Sequence, residues 1–293
     1  MFYDILLGIA LLVFLFFGLA WYLAGKVIKQ PRELHNEEWA KYSLWPQPIS
    51  FSAEDGMKLS GVFIQGQNKA TVILLHGYGR SKEQMLPQAD LLNKAGYNIF
   101  IFDFRASGES DGKYITFGQR EQYDLSGAVN YLKTRSDVDI NKIGLLGFSM
   151  GGAVAIMKSG ELPEIKAIVI SSTFMRFKTV IWNNFKEYLK GLPFFPLGYL
   201  VIWVIKFRTG IYYPKINPIN YIHKLKSRPL MVIHGEHDKK IPVSEATEFL
   251  KAAPWLKEYW VAKNAGHDDL LIISHQEYKN KILSFFNQYL LNT

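Results

Sequence analysis

The sequence predicts an α/β domain, built on a mostly parallel sheet with helices on both faces and carried behind an N-terminal transmembrane helix. Three observations predict it. Ile5–Gly25 runs for 21 residues without a charge, short apolar runs alternate with amphipathic helical stretches along the rest of the chain, and a serine flanked by glycines stands where one such run meets one such helix. With 293 residues, 48% of them hydrophobic, the chain can bury one sizeable core. A single α/β domain of about 250 residues lies in the ordinary range, so no second large domain is expected. Cysteine is absent, which excludes disulfides, thiolate catalysis and Cys-based metal sites.

At about 1.5 Å rise per residue, the uncharged run is long enough to cross a ~30 Å hydrocarbon core. A cleaved signal peptide is the competing reading, with Gly18-Leu19-Ala20 a passable cleavage site. Against it, the residues before the run carry Asp4 and no Lys or Arg, and the run exceeds the usual apolar length of a signal. Lys26, Lys29 and Arg32 follow the span, which places the domain on the cytoplasmic side, although Glu33, Glu37 and Glu38 dilute that bias. Trp21 and Tyr22 suit an interfacial aromatic belt.

A polar connector, Lys26 to Pro46, leads to the main domain, which is expected to begin near residue 47 and end at 293. Alternation from Ile49 to Ile64 predicts a β-hairpin turning at Glu54-Asp55-Gly56. Ala70–Leu75, Asn98–Phe102, Lys142–Leu146, Ala167–Ser171, Leu230–His234 and Glu258–Ala262 have the length and apolarity of buried strands. Lys82–Ala95, closed by Gly96, Arg120–Arg135 and the final stretch Gln276–Leu291 read as helices. That order is the order of a parallel sheet covered on both faces.

Gly147-Phe148-Ser149-Met150-Gly151 follows the strand run and precedes the small residues of a helix. A nucleophile elbow needs that strand, tight turn and helix, with glycines where side chains would crowd the neighbouring elements. A serine hydroxyl attacks only when a base takes its proton, so a histidine and a carboxylate are required downstream. His267, in a turn after the last strand, is the expected base, and Asp238, just past the end of the preceding strand, the expected acid. Glu236 competes for the acid, and His234, His237 and His275 for the base. His234 belongs to a strand and His275 to a helix start, which suits neither to the task. The oxyanion needs two N–H donors, expected from Met150, next after the nucleophile, and from Tyr78 in the loop His76-Gly77-Tyr78-Gly79. No metal-ligand spacing is evident among the histidines, and no cofactor is expected.

His76–Gly79, Asp103–Ser110, Gly147–Gly151, His234–Asp238 and Gly266-His267 together resemble the ordered signature blocks of the α/β-hydrolase superfamily, over nearly all of residues 50–293. The branch most resembled is that of single-pass, membrane-anchored α/β-hydrolase-domain proteins grouped with serine aminopeptidase-like and monoacylglycerol-lipase-like enzymes. The resemblance implies an α/β-hydrolase fold with an eight-stranded, mostly parallel sheet, and hydrolysis of an ester, thioester or amide without a cofactor. Ala106 departs from the pattern, which usually has glycine there; this touches a structural turn. Asp103 and Arg105 are read as structural.

Residues 174–228 occupy the position of a lid in that superfamily. The segment holds ten Lys or Arg and one acid, Glu187, so the basic character of a chain of net charge +8 is concentrated in it. Trp182, Phe185, Tyr199, Trp203 and Phe207 are among the aromatics interleaved with those charges. Anionic lipid surfaces suit such a pattern, each basic residue near them contributing ~1 kcal/mol. Nucleic acid attracts the same charge, but with an anchor close by the membrane is the simpler partner. Gly191–Ile205, uncharged but holding Pro193 and Pro196, is too short and broken for a second span. The expected activity is hydrolysis of a carboxylic ester or thioester of a lipid or acyl substrate. A serine aminopeptidase-like peptidase, an acyltransferase, and a hydrolase-fold lipid-binding scaffold are the alternatives.

Overall fold

Short runs rich in Ile, Val, Leu and Phe are too brief for helices and too apolar to lie on a surface, and they form a buried sheet. In a computed structural model, which describes residues 1–32, 36–188 and 194–292, the strands are β1 (Pro46–Ser52), β2 (Lys58–Ile64), β3 (Thr71–Leu75), β4 (Asn98–Phe102), β5 (Ile143–Phe148), β6 (Ile165–Ser171), β7 (Leu230–Gly235) and β8 (Glu258–Ala262). They lie in the order β1-β2-β4-β3-β5-β6-β7-β8. β2 runs antiparallel to β1 and β4, and every pairing from β4 to β8 is parallel. This is the eight-stranded, mostly parallel sheet that the resemblance implies. β1 is an edge strand and carries Pro46 and Pro48.

The helices are α1 (Phe2–Ile28), α2 (Leu86–Lys94), α3 (Glu121–Lys133), α4 (Met150–Ser159), α5 (Phe177–Tyr188), α6 (Leu197–Thr209), α7 (Val243–Ala252), α8 (Leu270–Ile273) and α9 (His275–Phe286). Side chains alternate along each strand, so the sheet feeds two cores. Ile73, Leu75 and Leu145 pack with Leu125 and Val129 of α3, Val154 of α4 and Phe249 of α7. Val72, Leu74 and Leu146 pack with Leu86 and Leu92 of α2 and with Ile282, Phe285 and Phe286 of α9.

Lys82–Ala95 was expected as one helix, and the structure divides it: a 3-10 turn spans Lys82–Met85 and α2 begins at Leu86. Pro87 explains the division, because it lacks an N–H and is tolerated only in a helix's first turn. The C-terminal helix likewise changes pitch, α9 passing into a π-turn at Asn287–Leu291.

α1 is long and apolar enough to cross a membrane. Its residues up to Leu19 are exposed, while Ala20, Ala24 and Ile28 are buried in a third cluster with Val201, Val204 and Ile205 of α6. Small residues four apart let the two helices approach closely. Arg208 completes the contact, donating to Trp21 O at 3.0 Å with its guanidinium 4.8 Å from the Trp21 ring. Beyond α1 the chain is held to the domain: Ile115 N–H donates to Ile28 O at 3.0 Å, and Arg32 donates to Ser110 O and Gly112 O at 2.8 and 2.7 Å.

Candidate active site

From β3 the chain passes to β4 on one side and then returns to β5 on the other, so β3 and β5 flank the point where strand order reverses. Open α/β sheets present ligand-facing groups there, at the carboxyl ends of the strands. Ser149 follows β5 directly, with φ 51° and ψ −113°. An L-residue in that region is strained, and the surroundings must hold it. They do so through Ser149 N–H, which donates to Ser171 O at 2.8 Å, and Ser149 O, which accepts from Ala153 N–H at 3.1 Å as α4 begins. Glycine is required on both sides. A Cβ on Gly147 would lie 2.6 Å from Gly151 O, and one on Gly151 would lie 2.3 Å from Leu75 O and 2.8 Å from His76 O.

That second contact seats the start of α4 against the loop after β3, so Met150 and Tyr78 belong to backbone segments in direct apposition. The loop is fixed from below. Gly77 N–H donates to Gln84 Oε1 at 2.8 Å. The buried His76 ring donates from Nδ1 to Gly77 O at 2.8 Å and accepts at Nε2 from Phe104 N–H at 2.9 Å, a pair of bonds that only the neutral imidazole with its proton on Nδ1 can make. Burial lowers its pKa and keeps it in that form. Nothing in the sequence marks Gln84, since a glutamine early in a helical stretch carries no signature of the amide it supports.

Asp238 and His267 meet. His267 Nδ1 donates to Asp238 Oδ2 at 2.7 Å, while Asp238 Oδ1 accepts from the backbone N–H of Lys240 at 2.9 Å and of Ile241 at 2.8 Å. The carboxylate is fully buried and the imidazole is 9% exposed. Ser172 Oγ donates to His267 O at 3.3 Å, and the Phe148 ring stands 5.1 Å from the His267 ring. Ser149 and His267 are thereby both tied to the carboxyl end of β6, through Ser171 and Ser172. Among the described residues no hydrogen bond joins Ser149 to His267; such contacts often close only around a substrate.

The competing residues are placed otherwise. Glu236, 46% exposed, accepts from Asn264 N–H, and His237 is 61% exposed beside it. His234 is buried in β7, donates from Nε2 to Ile241 O at 2.8 Å, and has its pKa lowered by burial. His275 begins α9. Lys82 Nζ binds Asp103 Oδ2, and Arg105 bridges Asp55 and Asp124, which gives Asp103 and Arg105 structural partners. Ala106, at the departure from the glycine pattern, adopts φ 59°. Among the described residues no three His, Cys, Asp or Glu side chains gather as metal ligands would.

A cavity of about 590 Å³ lies between α1, α5 and α6. Its walls are mainly apolar, with Leu23 and Val27 of α1, Ile181 of α5 and Val201 and Ile205 of α6, and Tyr78 and, at the end of α1, Lys26, Lys29 and Gln30 line it as well. The Tyr78 hydroxyl donates to Val27 O at 2.5 Å and accepts from Gln30 Nε2 at 2.7 Å. Glu245 pins the base of the lid, accepting from Met175 N–H and Arg176 N–H and from Thr179 Oγ1. Of the lid cations, Arg176 pairs with Glu248, Lys224 with Glu161, and Arg228 with Ser159 O and Leu162 O, so these are not spread on one open face. Lys190 and Pro193 lie outside the described residues.

The family model for serine aminopeptidase, S33, matches residues 66–195. The chain is 27% identical over 248 residues to the uncharacterized protein YfhR of Escherichia coli O157:H7, covering 82% of this chain and 80% of that protein. It is 33% identical over 112 residues to the thiohydrolase aneE of Aspergillus aculeatus, 37% of this chain and 35% of that protein. Among solved structures, the esterase Pf2001 of Pyrococcus furiosus superposes with a TM-score of 0.75 at 32% identity, over 89% of this chain and all of that one.

Proposed function

The chain belongs to the α/β-hydrolase superfamily, and from that premise we propose that it is a serine hydrolase that cleaves a carboxylic ester or thioester of a lipid or acyl substrate. The observation that carries the reading is the strained Ser149 turn, on the same sheet edge as an imidazole oriented by a buried carboxylate. His267 Nε2 takes the Ser149 proton as Oγ attacks the carbonyl carbon. Met150 N–H and Tyr78 N–H receive the developing oxyanion. His267 then gives the proton to the departing alcohol or thiol, leaving an acyl-enzyme. Water, deprotonated by the same imidazole, attacks the acyl carbon, and Ser149 recovers its proton as the acid leaves. The bond from Asp238 holds Nδ1 protonated, so that Nε2 is the free base.

Similarity to an esterase and, over a shorter stretch, to a thiohydrolase supports ester or thioester cleavage. The match to the serine aminopeptidase model favours a second reading, removal of N-terminal residues from peptides. Binding an amine calls for a carboxylate, whereas the charged side chains that line the cavity include the cations Lys26 and Lys29. The reading includes α1 as a retained membrane anchor with the domain on the cytoplasmic side, supported by the helix's length and by Lys26, Lys29 and Arg32 after it.

A fluorophosphonate probe tests the chemistry. Wild-type protein should be labelled and Ser149→Ala should not; folded wild-type protein that resists the probe removes the serine-hydrolase reading. Turnover of p-nitrophenyl esters beside aminoacyl amides decides between the two substrate classes, and amides cleaved faster than every ester would select the peptidase.

A further inference from the structure

We propose that α1 is a wall of the substrate site as well as an anchor: the cavity between α1 and the lid helices receives the acyl chain of an ester resident in the bilayer, which enters laterally from the leaflet. The proposal rests on the hydrolase reading above for the reacting end of the substrate.

Position comes first. Tyr78, whose N–H is assigned to the oxyanion, is one of the residues that line the cavity. Tyr78 is also bonded to α1 and its exit through Val27 O and Gln30, and stacks on Phe117 with centroids 5.1 Å apart. The end of the apolar helix and the oxyanion loop are one packed unit. Size and lining come second: about 590 Å³ falls within the range of ~300–1,000 Å³ usual for ligand sites, and the walls are overwhelmingly aliphatic and aromatic. A hydrocarbon chain fits such walls, whereas a peptide would leave its backbone amides without partners.

The third point is direction. Residues of α1 up to Leu19 are exposed, and an apolar helix with that much uncovered surface is stable in lipid. From Ala20 onward the same helix turns protein-facing, and Leu23 and Val27 line the cavity. Beside it, Tyr199, Trp203 and Phe207 stand four residues apart on α6 and are 62%, 52% and 69% exposed, with Trp203 6.2 Å from Phe17 of the exposed segment. This aromatic stripe extends the lipid-facing surface of α1 onto the lid. Lys26 and Lys29 line the cavity where α1 ends, at the height where a lipid's phosphate would lie while its acyl chain enters.

Because the chain has no cysteine, Leu23→Cys installs a single thiol in this wall. In full-length protein reconstituted in phosphatidylcholine vesicles, dodecyl methanethiosulfonate on that thiol should lower the ratio of palmitoyl-ester to acetyl-ester turnover roughly tenfold or more, since excluding even two methylenes is worth about that factor. Dithiothreitol should restore the ratio. A ratio unchanged by the modification overturns the proposal, whatever the absolute rates. A second readout needs no turnover. Ser149→Ala protein in vesicles containing a phosphatidylcholine with a diazirine at the end of its acyl chain should crosslink at Ile181 and Val201, and Ile181→Trp should reduce that yield severalfold. Crosslinks confined to residues 1–19 overturn the proposal. Crosslinks within the cavity of a protein that cleaves no ester would uphold lateral entry and remove the hydrolase reading.

Discussion

Replacing Asp238 with asparagine tests the proposed proton path most directly. One carboxylate oxygen accepts two backbone N–H groups, from Lys240 and Ile241, and the other accepts His267 Nδ1–H. An asparagine turned with its NH2 toward the two amides would forfeit both of those bonds in a fully buried site, at ~1–3 kcal/mol for each group left unsatisfied. It therefore turns its carbonyl to the amides and its NH2 to His267. The imidazole must then accept at Nδ1 and carry its proton on Nε2, the atom that has to receive the Ser149 proton. Loss of the correct tautomer in a Ser-His-Asp enzyme costs about 10⁴ in kcat, or roughly 5.4 kcal/mol at 1.36 kcal/mol per decade. The assay is steady-state hydrolysis of a p-nitrophenyl ester by Asp238→Asn, with circular dichroism and a thermal melt to show that the fold persists. Glu236→Gln, at a half-exposed side chain bonded only to Asn264 N–H among the hydrogen bonds of the described residues, serves as control and should change kcat by less than about threefold. A folded Asp238→Asn enzyme within tenfold of wild type, or a larger loss in Glu236→Gln, refutes the assignment.

Gly151→Ala places a Cβ 2.3 Å from Leu75 O, a backbone atom that cannot move aside, and should destabilise by about 2–4 kcal/mol in urea titration; a loss under 0.5 kcal/mol would contradict the close packing of the elbow. Arg105→Ala leaves the Asp124 carboxylate without its main partner in a buried site and should cost ~3–5 kcal/mol by the same measurement, while the residual folded enzyme keeps its Km. His76 and His234 contribute to the pH dependence of stability, both held neutral by burial with pKa lowered from the usual imidazole value near 6.5. The unfolded chain binds the extra protons, so their stabilising contribution is complete above about pH 6.5 and is lost as pH falls below it. The Asp124 carboxyl, pushed up to about 7 by burial, acts in the opposite direction over the same range. The imidazole contribution is therefore read by comparison: between pH 7.5 and 5.5 wild type should lose more Tm than His234→Gln, and an equal loss in the two would mean that this ring is not buried neutral.

The fold and the residues of the site were legible in the sequence to different depths. β4 and β8 have the limits that their apolar runs mark; β4 is buried at every residue, whereas β8, at the far edge of the sheet, is only half-buried at Glu258, Tyr259 and Val261. The tight turn at Ser149 was legible because its geometry forces glycine at Gly147 and Gly151, whatever the rest of the chain does. Asp238 and His267 were separable from their competitors only by their place after strands, and the structure brings them to 2.7 Å. The docking of α1 was not legible. Helix packing shows in a sequence as contrast between faces, and Ala20, Ala24 and Ile28 sit at four-residue spacing in a helix apolar all round, so no contrast marks them. Gln84 and Glu245 were hidden for a different reason: each binds backbone amides, which every residue type supplies. Ala106 was marked as a departure at a turn, and its φ of 59° shows why glycine is usual there.

The prolines at the open edge of the sheet reach beyond the single molecule. A free edge strand offers a row of amides to which a second sheet can zip. Pro46 and Pro48 have no amide hydrogen to offer, and residues two apart in a strand aim their N–H groups the same way, so two successive rungs of that row are missing. Where copies are crowded side by side, β1 resists being extended into a continuous sheet, and any lasting association between copies has to use another surface.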